Sequence, residues 1–469
     1  MELKVKEKVL AELEKIVGAE FVSNALPDLF SYSQDMTENE PSWPDFVVMP
    51  DSVEEVQEIM RLANREKIPV VPIVGGGNIG GLTIPLKGGI SLDMKRMDRM
   101  IEFNAEDMYI VVEPGFTFGH LKRFLDKNAP QLTYSWPVAP PSSSLTCNAL
   151  LQGLGNLSTR VGAHSDIING LEVVLPTGEV AKIGSCAVSP SWFGRAPLPD
   201  IAGLFIGWQG ATGVVTKTAL QLWHKPEYAE SISYLTYDVD ATFRFMRRIA
   251  RTQVVEDSIV MTYETTKVLL FRNTGPFERP PGEPEFMNSM TIRGNTEDEL
   301  KAKTAFRDQL MKEEFKDTKV DVNPGAPQEG PIRGIIDALG GCTWVGTYAP
   351  TSEWEKTVPM TYPIFDKYRL PRVVFLRPFK EGHFGMWRPI IAFNRNDADE
   401  VERVRKLMRE MLALALDCGY VPYKSPYWAI QMMLERADPN FIELVKRVKN
   451  MLDPNDIMNP GRWGDLSSK

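Results

Sequence analysis

The sequence predicts an α+β fold arranged in two lobes. Three observations carry that reading. A chain of 469 residues is too long for one ordinary core. A succession of helix, strand and glycine loop begins near residue 50, and a fresh pattern of strand, helix and strand begins near Tyr228. The expected division is residues 1–227, residues 228–415 and a closing segment of residues 416–469.

The first unit starts at Ser52 and Glu55, the S-x-x-E spacing of a helix capping box. Val56, Ile59, Met60 and Ala63 follow at helical spacing and give one apolar stripe. The apolar run of residues 68–74 reads as a strand, ended by Gly75, Gly76, Gly77, Asn78, Ile79, Gly80 and Gly81. Further strands are expected at residues 90–94 and 108–112, then a helix from Thr117 and a hairpin through residues 171–179. In the second lobe a Pro-rich loop falls at residues 279–284 and a long helix at residues 397–417.

Composition narrows the function. Hydrophobic residues at 43% and charged residues at 25% describe an ordinary globular protein. A net charge of -9 leaves no basic field to attract nucleic acid or an anionic membrane. The charged helical start lacks the apolar centre of a signal peptide, and no apolar run reaches the roughly 18 residues of a membrane span, so a cytoplasmic protein is expected. The four cysteines are scattered without the spacing of a zinc or iron–sulfur site, so no metal is assigned.

Consecutive glycines let backbone N–H groups face one concavity, which suits a diphosphate. No Lys-Ser/Thr follows the loop, and no G-x-G-x-x-G opens into a helix, so neither the P-loop nor the dinucleotide fingerprint applies. Gly153 and Gly155, and later Gly210, Gly213 and Val214, offer two more places where backbone can approach a flat cofactor. With the glycine loop, the segments of residues 50–56, 112–115, 170–178 and 210–216 resemble the FAD domain of the vanillyl-alcohol oxidase and p-cresol methylhydroxylase flavoprotein family. That resemblance spans roughly residues 45–227, and Asn459-Pro460-Gly461 extends it. It implies a two-subdomain PCMH-type FAD-binding domain, an α+β cap domain built on an antiparallel sheet, and a C-terminal segment returning to the flavin. FAD is the cofactor so implied, and His164 and Asn459 join the glycines as residues expected near it.

Two branches of that family differ in chemistry. Hydroxy-acid dehydrogenases carry a G-H-x-G-D-G-N-x-H segment that holds a metal; here residues 380–389 supply only His383, and Arg388 stands near the second histidine's place. A cation there repels a metal. The alkylphenol branch resembles residues 340–346 and 419–424, where a Tyr-Arg pair binds the substrate phenolate and this chain has Tyr423-Lys424. Lysine keeps the charge but loses the fork. The expected catalytic set is Tyr423, Lys424 and Arg388, with Arg388 open to a substrate carboxylate or the reduced flavin. His383 is expected to make a non-covalent flavin contact or to pack as a plain imidazole, the two together ahead of a covalent link to the flavin. Tyr134, Trp136, Trp344, Tyr348, Trp387, Tyr427 and Trp428 are candidate walls for a ring substrate.

The leading expectation is an FAD-dependent dehydrogenase or hydroxylase of a small aromatic alcohol or 4-alkylphenol. The alternatives are a 2-hydroxy-acid dehydrogenase of the D-lactate or glycolate kind and an FAD-binding electron-relay subunit. Without iron–sulfur spacing, electrons leave through an external acceptor, a cytochrome, iron–sulfur or electron-transfer flavoprotein subunit among them, in a homo- or hetero-oligomer.

Overall fold

The capping residues expected at the first helix are in place. Ser52 accepts from the Glu55 N–H at 3.2 Å and the Glu55 carboxylate reaches back to the Asp51 N–H at 2.7 Å, opening the helix Val53–Glu66. That helix buries Val56, Ile59, Met60 and Ala63 against a small sheet. The computed structural model describes residues 3–77, 79–272, 275–332 and 340–464; Asn78, one of the expected glycine-loop residues, lies outside them.

The strand Ile90–Asp93 occupies the middle of the small sheet and pairs in parallel with Phe46–Val48 and with Val70–Ile73. Val70–Ile73 runs straight into the glycine loop, so the sheet aims that loop. A second, fully antiparallel sheet has the order Met100–Asn104, Tyr109–Val112, Val214–Gln221, Ile168–Val174 and Val180–Gly184. The expected hairpin is its last pair, and Thr117 caps the helix Phe118–Asn128.

From Tyr228 onward the chain builds a nine-stranded antiparallel sheet. Side chains alternate across a strand, so each strand divides its residues between two faces. Val260, Leu376, Trp387, Ile391 and Phe393 point to one face and pack beneath the helices Trp354–Lys367 and Ala398–Asp417. Ile259, Phe375, Met386 and Ile390 point to the other, where they meet Ile79 of the glycine loop and Leu154. The site lies on this second face.

Residues after the long helix do not leave this sheet at once, because Val421–Pro422 pairs with Thr347–Ala349. Only later does the chain return to the small sheet. Met458 bridges Val70, the Asn459 N–H donates to the Val70 carbonyl at 2.8 Å, and buried Arg462 donates to the carbonyls of Gly81 (2.7 Å) and Leu82 (3.1 Å). Among the described residues no helix is long and apolar enough to cross a membrane.

Candidate active site

A cavity of about 310 Å³ runs from Gly75, Gly76 and Gly77 to the inner face of the large sheet. That volume suits a small molecule. Its sheet wall is a direct product of strand alternation: Ile259 with Met261, Phe375 with Arg377, Cys342 with Trp344, and Arg388 with Ile390, each pair two residues apart on one strand.

Tyr423 is 5% exposed and receives a hydrogen bond from Arg388 Nη2. Gly346 permits this placement, since a Cβ there would stand 2.8 Å from the Tyr423 ring. Tyr348 stacks on Tyr423 with ring centroids 4.7 Å apart, and the Arg388 guanidinium lies 4.4 Å over the Trp344 ring. Burial raises the Tyr423 pKa above its usual value, only partly opposed by Arg388, so the phenol keeps its proton. The partner expected for Tyr423 was its neighbour Lys424. The fork comes instead from Arg388, on a different strand.

Lys424 also lines the cavity, in a left-handed backbone conformation at φ 50°. Burial and the nearby Arg388 push its pKa down to about 7. This corrects the expectation of a fixed positive charge: Arg388 is the permanent cation, and Lys424 titrates near neutrality. The glycine loop touches this residue, because a Cβ on Gly80 would collide with the Lys424 carbonyl.

The loop itself fits a diphosphate. A Cβ on Gly77 would meet nothing within 4 Å, and among the described residues none of the N–H groups of Gly75, Gly76 and Gly77 has a backbone acceptor. Beside it a narrower cleft is lined by Pro72, Val74, Gly210, Gly213 and Val214. A Cβ on Gly210 would press within 2.7 Å of Pro72 Cγ, so glycine is required where those walls meet. Loop and cleft adjoin through Cys147, which lines both spaces. The glycine loop and this second cleft therefore fit an elongated dinucleotide such as FAD.

Four expected residues stand elsewhere. Gly153 and Gly155 direct their N–H groups to the Asn148 carbonyl (2.7 Å) and to Ser158 Oγ (2.9 Å), and side chains there would strike Asn148 and Ser135. Protein, not a cofactor, fills their open sides. His164 is fully buried behind the cavity, with Nδ1 2.7 Å from Asn148 Oδ1, and burial drives its pKa down to about 3, so it stays neutral and holds Asn148, which lines the cavity. His383 is exposed, precedes the strand Phe384–Asn394, and lines neither space. Arg388, by contrast, lies within that strand and lines the cavity.

Asn459 anchors the tail, its Nδ2 donating to the Gln209 carbonyl at 2.8 Å. Of the aromatic candidates, Trp344 lines the cavity and Tyr348 backs it. Tyr134, Trp136 and Trp387 are buried in the cores, Trp428 packs against one of them, and Tyr427 is exposed. Arg377 was missed altogether. It lines the cavity, is fully buried, and is paired with Asp257 at 3.2 Å. Strand parity with Phe375 was the available signal.

Two family descriptions match the chain. "FAD binding domain" covers residues 44–184 and "FAD linked oxidases, C-terminal domain" covers residues 347–463, together more than half of it. Glycolate oxidase subunit GlcD of Bacillus subtilis (strain 168) is 25% identical over 495 residues, covering 98% of this chain and 97% of that protein. The 4-cresol dehydrogenase [hydroxylating] flavoprotein subunit of Pseudomonas putida is 25% identical over 511 residues, covering 98% and 96%. A crystal structure of p-cresol methylhydroxylase with substrate bound superimposes with TM-score 0.88 at 20% identity, covering 100% of this chain and 99% of that one.

Proposed function

The chain belongs to the PCMH-type FAD flavoproteins and is an FAD-linked oxidoreductase, and from that premise we propose that it oxidises a small aromatic alcohol or 4-alkylphenol. The observation that carries this reading is the bonded pair of Tyr423 and Arg388 beside Trp344 in a ring-sized cavity. FAD, when bound, supplies the hydride acceptor at N5.

The protein's part is to hold and polarise the phenol. Arg388 donates to the Tyr423 oxygen, which leaves the Tyr423 O–H to donate to the substrate oxygen. That donor and the guanidinium charge behind it favour the phenolate and the quinone-methide character that develops as the para substituent loses hydride. Lys424, poised near pH 7, takes the proton that the phenol releases. Ile259, Met261, Phe375 and Ile390 keep the ring's surroundings apolar and dry. In this reading residues 1–227 hold the cofactor, residues 228–415 cap it, and residues 416–469 return to it.

The hydroxy-acid alternative draws support from one observation: Arg377, Arg388 and Lys424 line the cavity and, among the described residues, no carboxylate does. Anaerobic mixing with substrates separates the two. Bleaching of the flavin by 4-alkylphenols and not by D-lactate or glycolate supports the phenol reading, and the reverse result removes it.

A further inference from the structure

Arg377 is a fully buried cation that lines the cavity and that the phenol site does not use. Its side chain is 0% exposed. Nε and Nη2 each lie 3.2 Å from the Asp257 carboxylate, which fixes the plane of the fork. Only Nη2 makes a hydrogen bond to that carboxylate; Nε meets it as an ion-pair contact, and Nη1 has neither contact among the described residues, although the residue lines the cavity. A buried donor without a partner is costly, and where such a group borders a cavity a bound molecule can supply the acceptor.

Register sets where that acceptor lies. Phe375 pairs with Arg388 across the antiparallel ladder, and Arg377 is two residues further along the same face. Arg377 and Arg388 are therefore diagonal neighbours, with backbones about 7–8 Å apart. That spacing is comparable to the span of a para-substituted ring. One arginine is engaged at Tyr423, and the other lines the same cavity with a donor left unpartnered, while no acid stands on the walls among the described residues.

We infer that the substrate carries a carboxylate on the substituent opposite its phenolic hydroxyl, and that Arg377 binds this carboxylate through Nη1. The inference rests on the phenol reading above and narrows it to aromatic acids that are anchored at both ends. Asp257 makes the site selective. It neutralises the charge of Arg377 without occupying Nη1, so binding requires a directed acceptor and is not satisfied by negative charge in general.

The test compares 4-hydroxymandelate with 4-hydroxybenzyl alcohol, which share the ring, the phenol and the carbinol and differ in the carboxylate. Dissociation constants are read on the FAD-loaded protein from perturbation of the flavin absorbance, alongside rates of bleaching. The acid is expected to bind on the order of tenfold to hundredfold more tightly, the range of one charge-assisted hydrogen bond. Arg377→Lys should erase most of that difference while leaving the alcohol's constant unchanged. Equal binding of acid and alcohol by the unaltered protein overturns the inference whether or not either is oxidised, and needs no variant to fold. Weakened FAD binding in Arg377→Lys, with the acid-to-alcohol ratio preserved once the variant is reloaded with excess FAD, assigns the arginine to the cofactor and also overturns it. Bleaching by neither compound, with tight binding of the acid, would leave the anchoring intact and remove the proposed oxidation instead.

Discussion

Replacing Gly77 with alanine separates cofactor binding from folding, because the new methyl group has no protein to strike. No atom lies within 4 Å of the Cβ position, and Gly77 is absent from the residues with positive φ. The cofactor-free protein should change by roughly 0.5 kcal/mol or less, a shift of a degree or two at most in Tm. If the diphosphate lies on this backbone, the methyl group intrudes on a close approach. Overpacking of that size costs about 1–3 kcal/mol, which corresponds to roughly 5- to 150-fold weaker FAD binding. Gly80→Ala is the opposite case. Its φ of 122° suits glycine and its Cβ would collide with the Lys424 carbonyl, so strain and overpacking together should cost about 2 kcal/mol or more before any cofactor binds. Thermal denaturation of the cofactor-free proteins and FAD titration by fluorescence quenching read the two effects separately. Unchanged FAD affinity in Gly77→Ala, with normal stability, would place the diphosphate elsewhere.

Tyr423→Phe should retain FAD but slow flavin bleaching by the true substrate by about a hundredfold or more, since a donor to the developing oxyanion is lost; bleaching at the parent rate would remove Tyr423 from the site. Lys424 carries its proton below about pH 7 and loses it above, so affinity for an anionic ring compound should fall as pH rises through that value, and Lys424→Met should flatten the profile. A flat profile in the unaltered protein would refute this. Glu38, 3% exposed, has its pKa raised from 4.5 to about 7 by burial. The unfolded chain therefore releases that proton first, and the native state loses stability as pH rises from about 4.5 to 7, by roughly 3 kcal/mol in all. Glu38→Gln should consequently raise the urea midpoint at about pH 8 and leave it unchanged near pH 4.5; equal effects at both would show that the carboxyl is charged in the native protein.

Local chemistry was legible in the sequence where it is decided locally. Ser52 and Glu55 announced a helix, residues 68–74 a strand, and the glycine run a loop able to approach a phosphate. Residues 419–424 could be recognised as a site segment because their neighbours in sequence are also their neighbours in space. The partner of Tyr423 could not be read in the same way. Arg388 reaches it from a strand 35 residues away, a meeting set by register across the large sheet. The segment of residues 380–389 shows the hazard. Taken as a motif it draws attention to His383, whereas strand alternation puts Arg388 and Ile390 on the cavity face with Met386 and leaves His383 outside the strand. Gly153 and Gly155 misled for a related reason, since a glycine needed for close packing against Ser135 or Asn148 looks, in sequence, like one needed for a ligand.

The grip of Arg462 on the Gly81 and Leu82 carbonyls spans 381 residues of chain. On the ribosome, where about 5–20 residues are added each second, the glycine loop waits tens of seconds for the residue that holds it. Its neighbours in the small sheet can pair long before then, so a nascent chain passes through a stage with a folded first sheet and an unsecured loop. FAD that meets the chain at that stage finds the N–H groups but not their final arrangement. Removal of the Arg462 side chain is therefore expected to weaken FAD binding, which titration of Arg462→Ala with FAD would show.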